Sequence, residues 1–435
     1  MTAPAAELRS ANLAGVLPLT SACNLGCAFC NLKWNPPGLR TYRLGHRDPV
    51  TVVSEAPLAA TRGAVTIGES ATRVDEGEPF CHPAVLEILQ AVRRATGASL
   101  RVTTNATLLD QAAVRALARL APIELTVSLN TVDRTVRRSL LGDESPDRAL
   151  EAVAMLAGEG VPFHGSLVAM PHVTGWDDAA GTVGFLASHG ARSIRAFLPG
   201  YTSLAPAYLR HSPGTLSELT RRCEGWTLAY GLPVVPEPGE VRDLRPTLAG
   251  VVKGSPAEAA GLGAGDELLE VSGVRPRCRL EAYDLLTAGT APSVVVRSGA
   301  GLRSVSVRKA PEAPSGAVFV RDVDMAQIAR IRRAARRERV TVLASELGLR
   351  ALALALQPEL DCGRVRLVPV PSRAFGGSIG SAGLLTTADF LAALPREGGG
   401  TLILPAVAYG SSGRDLFGAS WTEVAAAWVG RVWLI

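Results

Sequence analysis

The 435-residue chain is poor in cysteine, and what it has does not pair. There are seven, an odd number, and Cys81, Cys223, Cys278 and Cys362 are scattered. That excludes the even, regularly spaced framework of a secreted disulfide scaffold. Long apolar runs are also missing; stretches such as "ALALAL" from Ala351 fall far short of a bilayer span. The N-terminal "MTAPAAELRSANLAG" has no positive-then-apolar secretory pattern, so a cytoplasmic location is expected. No low-complexity tract or internal repeat stands out. Charge is nearly balanced: a net +5 over this length gives little reason to expect nucleic-acid binding, and a tRNA-modifying role would rest on that mild basic balance alone. The densest basic run, "RIRRAARRERV" from Arg330, has the spacing of a solvated helix face. "FGGSIGSAGLL" (375–385) lacks both the Lys-Ser/Thr of a P-loop and the Gly-x-Gly-x-x-Gly fingerprint. Its glycines read as turn or close-packing residues.

What is present is an α/β chain long enough for two or three domains. Residues 13–200 alternate short β-rich runs with longer helical patterns. The candidate strands are "GVLPLT", "GAVTIG", "SLRVTTN", "IELTVSLN", "FHGSLVAM" and "SIRAFLPG", with helices such as "HPAVLEILQAVRRAT" and "SPDRALEAVAMLAGEG" between them. This order implies a parallel sheet, open or closed into a barrel, with ligands at the C-terminal strand ends. "PVVPEPGE" (233–240) and "APEAPSG" (310–316) read as linkers. They divide the chain into an N-terminal barrel-like region at 1–235, a small β-rich region at 240–310 and a mixed α/β region at 316–435.

"LTSACNLGCAFCN" follows the first candidate strand and so sits at the functional end of the sheet. It holds Cys23, Cys27 and Cys30 with no fourth cysteine near, and His46 and His82 are not at finger spacing. A structural zinc site closes with four ligands. A thioredoxin-type pair, Cys27 with Cys30, leaves Cys23 unexplained. Iron–sulfur clusters prefer thiolates. Three of them around a [4Fe–4S] cube would leave one iron open to an outside ligand.

C-x3-C-x2-C with an aromatic, Phe29, before the last cysteine resembles the signature of the radical S-adenosylmethionine (SAM) enzymes. The resemblance implies a partial (β/α)6 barrel whose cluster is held by Cys23, Cys27 and Cys30, with SAM on the open iron. It implies reductive SAM cleavage to a 5′-deoxyadenosyl radical that abstracts hydrogen from a substrate. An electron donor such as flavodoxin or ferredoxin is implied as well. "GEPF" resembles the family's Gly-Gly-Glu-Pro segment, giving Gly77, Glu78 and Pro79 as contacts to the SAM amino group, with Glu76 in place of the first glycine. Glu69, in "IGES", competes with Glu78 for that role. "VTTNATLL" resembles the Thr-Asn-Gly-Thr segment, giving Thr104 and Asn105, with Ala106 in place of glycine. "VSLNT" gives Ser128 and Asn130 for the SAM carboxylate or ribose. Cys81 and His172 are the candidate catalytic residues: Cys81 follows the glutamate, and His172 lies in a loop expected to face the cavity. Each also has a structural reading, as a buried thiol and a loop-ordering ring.

"GVVKGSPAEAAGLGAGDELLEVSG" resembles a bacterial PDZ module, which implies peptide binding by strand addition. The strand and loop that cradle the peptide carboxylate are not evident before Gly250. Taken together, the chain resembles a bacterial group combining a PDZ-like segment, a radical SAM barrel and a C-terminal domain of unknown function. "NPPGLRTYRL", "LVAMPHVTGWDD", "RAFLPGYTSLAP" and "AFGGSIGSAGLLTTADFLAAL" carry that likeness. Here the PDZ-like segment lies between the other two rather than at the N-terminus. The substrate, a small molecule or a peptide, is not readable. Two other functions stay open: transfer of a 3-amino-3-carboxypropyl group from SAM, and an iron–sulfur redox or scaffold protein that binds a partner through the PDZ-like segment.

Overall fold

The structure, a computed structural model, describes residues 5–69, 73–311, 313–396 and 398–435. Part of "IGES" (Ser70) and of the second linker (Glu312) lies outside the described residues. The chain divides into two compact units.

The first unit comprises residues up to 33, 41–199 and 207–237. Its centre is a six-stranded sheet of β1 (Ala64–Ile67), β2 (Ser99–Thr104), β3 (Ile123–Ser128), β4 (Phe163–Val168), β5 (Ile194–Phe197) and β6 (Val234–Glu237). Spatial order follows chain order, and every neighbouring pair is parallel. Parallel pairing forces a crossover between strands. The crossovers carry helices α2 (Val85–Ala95), α3 (Gln111–Ala118), α4 (Pro146–Gly158), α5 (Trp176–Ser188) and α6 (Thr215–Tyr230); α1 (Pro49–Ala59) precedes β1. β3 explains the layering. Ile123, Leu125 and Val127 are buried among helix residues such as Leu117, Val153 and Leu156, while Glu124, Thr126 and Ser128 alternate onto the other, half-exposed face.

Two expectations are corrected here. "GVLPLT" does not run as a strand; it makes one bridge, Val16 to Thr66. Pro18 has no N–H to give a ladder, which stops the pairing. The sheet still has six strands, because Val234–Glu237, in the segment taken as a linker, pairs along its length with β5.

The second unit comprises residues 34–40, 200–206 and 238–435. Its first part has β7 (Gly250–Val251), the antiparallel ribbon β8 (Glu267–Val271), β9 (Ser293–Ser298) and β10 (Gly301–Ser306), and α7 (Arg279–Ala288), around a core that includes Leu268, Val294, Val296 and Leu286. The second supposed linker is not a spacer either. Immediately after it, β11 (Ala317–Val318) returns to pair antiparallel with β7, and Ser315 O accepts the Ala257 N–H at 2.8 Å. The strand that pairs with Gly250–Val251 is therefore supplied from beyond residue 310.

The remainder is a parallel sheet in the order β13 (Val365–Val370), β12 (Val340–Ser345), β14 (Gly400–Leu404), β15 (Gly430–Leu434). The basic run contributes to α8 (Met325–Ala335), which buries Met325, Ile328 and Ile331, leaves Arg330 and Arg333 exposed and pairs the half-buried Arg332 with Glu359 at 3.0 Å. The glycine-rich stretch packs against residues 200–206. Gly377 has φ +64°, and a Cβ there would stand 2.1 Å from Tyr201 O. Ser203 N–H donates to Phe375 O at 2.8 Å, Arg40 N–H to Leu416 O at 2.8 Å, and the Thr202 hydroxyl to Trp34 O. Among the described residues no helix is long and apolar enough to cross a membrane.

Candidate active site

The three-cysteine loop is braced on both sides by backbone hydrogen bonds. On one side Gly77 N–H donates to Thr20 O and Glu78 N–H to Ala22 O, both at 2.8 Å. A Cβ on Gly77 would lie 2.1 Å from Ala22 O, so only glycine permits this approach. On the other side Gly26 N–H donates to Leu141 O at 2.9 Å and Ala28 N–H to Leu140 O at 2.7 Å. Lys33 Nζ closes the loop onto Gly26 O at 2.7 Å.

The thiols feel one another. Burial, then the charges of Cys23 and Cys30, pushes the Cys27 thiol up to about 12. Burial also raises Cys23, with Glu78 and Cys30 adding to the effect and the Leu25 and Asn105 hydrogen bonds opposing it. Such thiols stay protonated without a strong Lewis acid, and a bound metal reverses that preference. Among the described residues no three His, Cys, Asp or Glu side chains converge as they would on a single ion. A cube takes one thiolate per iron, so its ligands are spread over separate irons, and three soft thiolates suit it.

Beside Cys23 lies a buried carboxylate. Glu78, 3% exposed, accepts hydrogen bonds from Thr104 Oγ1 at 2.8 Å, Asn105 N at 2.7 Å and Phe80 N at 3.1 Å. Burial raises it to about 7 despite the three donors, each of which favours the charged form. A buried acid near neutrality, with no cation beside it among the described residues, suits an incoming ammonium. Asn105 extends the network: its Nδ2 donates to Asn24 Oδ1 at 3.0 Å, and its Oδ1 accepts from Thr107 N at 3.0 Å. Ala106, where the resemblance expects glycine, takes a left-handed φ of +64°.

Glu69 sits apart. It follows β1, is half-exposed, and pairs at 3.8 Å with Arg195, which also reaches Glu237 at 3.8 Å. Pro79 packs toward the end of β1: a Cβ on Gly68 would lie 2.5 Å from its ring.

A cleft opens next to the last cysteine. Phe29, Asn130, Thr131, Val136, Leu140, Leu141, Val168, Met170, Thr174 and Asp178 line it. Asn130 has φ +64°, and its Oδ1 accepts the Val168 N–H at 3.0 Å, fixing the end of β3 to β4. Ser128 ends β3, and its carbonyl accepts from Asn130 Nδ2 at 3.2 Å. The Thr131 hydroxyl donates to Asp178, whose carboxyl is raised by burial.

The structure thus gathers Cys23, Cys27, Cys30, Glu78, Thr104 and Asn105, with Phe29 and Asn130 sharing the adjoining cleft. Cys81 joins the first group: its Sγ lies 3.8 Å from Asn24 Oδ1, and burial, Glu78 and Cys23 push it to about 11. His172 is not in the cleft lining; its Nε2 meets Tyr208 O at 3.0 Å, and burial lowers it. His82 is buried against Arg47 O at 2.8 Å. Sequence reasoning missed Asn24, Thr131 and Asp178. Asn24 alone carried a signal, its place next to Cys23.

The model of the Radical SAM superfamily matches residues 17–183. Those residues form a radical SAM domain. The superfamily's cofactors are a [4Fe–4S] cluster and SAM, and the thiols and carboxylate above fit both. Among curated relatives, GTP 3′,8-cyclase of Chlorobaculum tepidum is 34% identical over 119 residues, which are 27% of this chain and 33% of that protein. The same enzyme from Geobacter sulfurreducens is 28% identical over 148 residues, 34% of this chain and 43% of that protein. The match therefore spans well under half of each relative. Among solved structures, Streptococcus suis SuiB bound to S-adenosylmethionine is 18% identical with a TM-score of 0.40, over 51% of this chain and 49% of that one. Methylornithine synthase PylB is 13% identical with a TM-score of 0.37, over 54% and 76%.

Proposed function

We propose that the chain is a radical SAM enzyme whose cluster is ligated by Cys23, Cys27 and Cys30 and whose SAM amino group is held by Glu78. When bound, the cluster and SAM supply reductive C–S cleavage, the hard chemistry that protein side chains cannot perform. The chain's own residues bind and orient. Thr104 and Asn105 aim the Glu78 carboxylate; Gly77 and Pro79 bring it against the cysteine loop. Ser128 and Asn130, at the end of β3, are suited to the SAM carboxylate or ribose, and Phe29 lines the cleft that the rest of SAM would enter. Cys81, beside Cys23, is the better of the two catalytic candidates; the contact to Tyr208 gives His172 an ordering role.

The observation that carries this reading is the position of Glu78, buried, hydrogen-bonded by the end of β2 and adjacent to Cys23. The same geometry favours it over Glu69. The test is anaerobic reconstitution with iron and sulfide counted in wild type and Cys27→Ala, followed by product analysis after reduction with SAM. About four irons, falling sharply in the variant, supports ligation; stoichiometric zinc contradicts it. 5′-Deoxyadenosine supports hydrogen abstraction, and methylthioadenosine supports 3-amino-3-carboxypropyl transfer. If SAM neither perturbs the cluster spectrum nor is cleaved, a redox or scaffold role replaces both.

Residues 240–310 are read as a PDZ-like module, to which β11, from the start of the next region, adds a strand at Gly250, and 316–435 as an α/β domain of unknown function. A small molecule or a peptide is the substrate class, a flavodoxin or ferredoxin the electron source, and the cytoplasm the location.

A further inference from the structure

Arg137 is among the largest wholly buried side chains in the chain, at 0% exposure. Its neighbour Arg138 is exposed, so the pair "RR" in the sequence splits between core and solvent. The guanidinium is used in two directions. Nε donates to Asp143 Oδ2 at 2.8 Å, and Asp143 is itself only 3% exposed. Nη1 donates to Leu129 O at 2.8 Å and Thr131 O at 3.0 Å, the carbonyls on either side of Asn130. Nη2 is buried with no hydrogen-bond partner among the described residues.

A buried ion pair is weak evidence for stability, because desolvation offsets the attraction, and the unpartnered Nη2 adds to that cost. What this pair does is fix geometry. Residues 137–141 form a single π-turn, an arrangement that recurs at functional sites. Asp143 N–H and Gly142 N–H both return to Arg137 O, so the ion pair bolts the two ends of the turn together. The turn's last carbonyls, Leu140 O and Leu141 O, are the acceptors for Ala28 and Gly26 in the cysteine loop. Leu140 and Leu141 also line the cleft with Phe29 and Asn130.

We propose that Arg137 is a positioning residue that sets the cysteine loop and the end of β3 in one register, holding Gly26 and Ala28 through the turn on one side and Asn130 through its flanking carbonyls on the other. It touches neither the thiols nor the cleft. This inference rests on the cluster and SAM reading above.

The test replaces the pair without breaking half of it. Arg137→Met/Asp143→Leu substitutes apolar side chains of similar bulk, a change that buried ion pairs often tolerate. Arg137→Lys keeps the charge but loses the fork that reaches two directions. Hydrogen exchange on the unloaded protein reads Gly26 and Ala28 directly, and thermal melting reports whether the fold persists. In the reconstituted protein, SAM affinity and the electron paramagnetic resonance of the reduced cluster are then measured. The expected result is a folded double variant with faster exchange at Gly26 and Ala28. SAM binding should weaken about tenfold, and the cluster signal should change, with Arg137→Lys between it and wild type. A folded double variant with wild-type exchange, SAM affinity and cluster signal overturns the proposal. If neither variant folds, Asp143→Asn supplies the test: it keeps the shape of the Nε partner and removes its charge, and should speed exchange at Gly26 and Ala28 in a folded protein. Wild-type exchange there contradicts the account. Loss of iron in Cys27→Ala is independent of all these results, so failure of the cluster reading is told apart from failure of this one.

Discussion

Asn105 donates its backbone N–H to Glu78 Oε2 at 2.7 Å, and through the same residue's side-chain amide the contact continues to Asn24, next to Cys23. One short chain of hydrogen bonds therefore joins a buried acid to the cysteine loop. Glu78→Gln keeps the shape and removes the charge. SAM affinity should fall tenfold or more, on the order of one charge-assisted hydrogen bond. Iron content should not change. Equilibrium SAM titration with iron analysis checks both.

Glu69 supplies the contrast. It lies with Arg195 and Glu237, not in the hydrogen-bond network of Glu78. Glu69→Gln should leave SAM affinity within about twofold of wild type, as for surface changes distant from a site. A loss equal to that of Glu78→Gln would transfer the amino-group role to Glu69.

Gly77→Ala places a Cβ 2.1 Å from Ala22 O, closer than any relaxation of a flexible side chain can relieve, because the obstacle is backbone. The segment carrying Cys23 must move. The sheet core is untouched, so the variant should fold while retaining less than about half of the reconstituted iron, scaled from the cost of overpacking. Iron per chain beside the melting temperature separates these effects.

Much of this arrangement was legible in the sequence, for reasons that particular residues make plain. The alternation of Val, Leu and Ile with Thr and Ser in "IELTVSLN" fixed a strand and its faces because burial on one side selects that period. The cysteine spacing pointed to its chemistry because ligation demands it. Val234–Glu237 was hidden, since Pro233, Pro236 and Pro238 look like a spacer, although the strand sits at the sheet edge, where the internal Pro236 is tolerated. Glu78 was favoured over Glu69 only by the helical pattern that follows it; the return of the chain past Ala22 is what sets Glu78 beside Cys23. Arg137 was illegible. In "DRTVRRSLLG" it resembles Arg138, and the acid that accepts it, six residues on, is one of several.

Glu76 makes a pH prediction. Burial pushes it up to about 8, opposed by the Leu19 and Gly68 N–H groups and by Arg47. Its folded pKa lies above the unfolded value of about 4.3, so the folded state binds the extra proton in between. This acid therefore favours folding at low pH, and its contribution is lost as pH rises from about 4.5 through about 8. Glu76→Gln, which cannot ionise, should match wild type near pH 5 and exceed it near pH 9. The gap should be about 2 kcal/mol or more from a shift of this size. Melting of the unloaded protein across that range checks the sign; a gap that shrinks with rising pH contradicts it.

Cys81 and Cys27 should part company. Cys81→Ser should keep about four irons per chain, because it is not one of the three proposed ligands, whereas Cys27→Ala should lose most of them. Equal losses in the two variants would make Cys81 a ligand.

The central claim, that the site holds a cluster with an iron open to SAM, is tested most directly by adding SAM to the anaerobically reconstituted, reduced wild-type protein and recording the cluster's electron paramagnetic resonance. The account predicts a changed signal on SAM addition, absent in Cys27→Ala and weakened in Glu78→Gln. An unchanged wild-type signal at saturating SAM, or a stoichiometric zinc in place of iron, would contradict it.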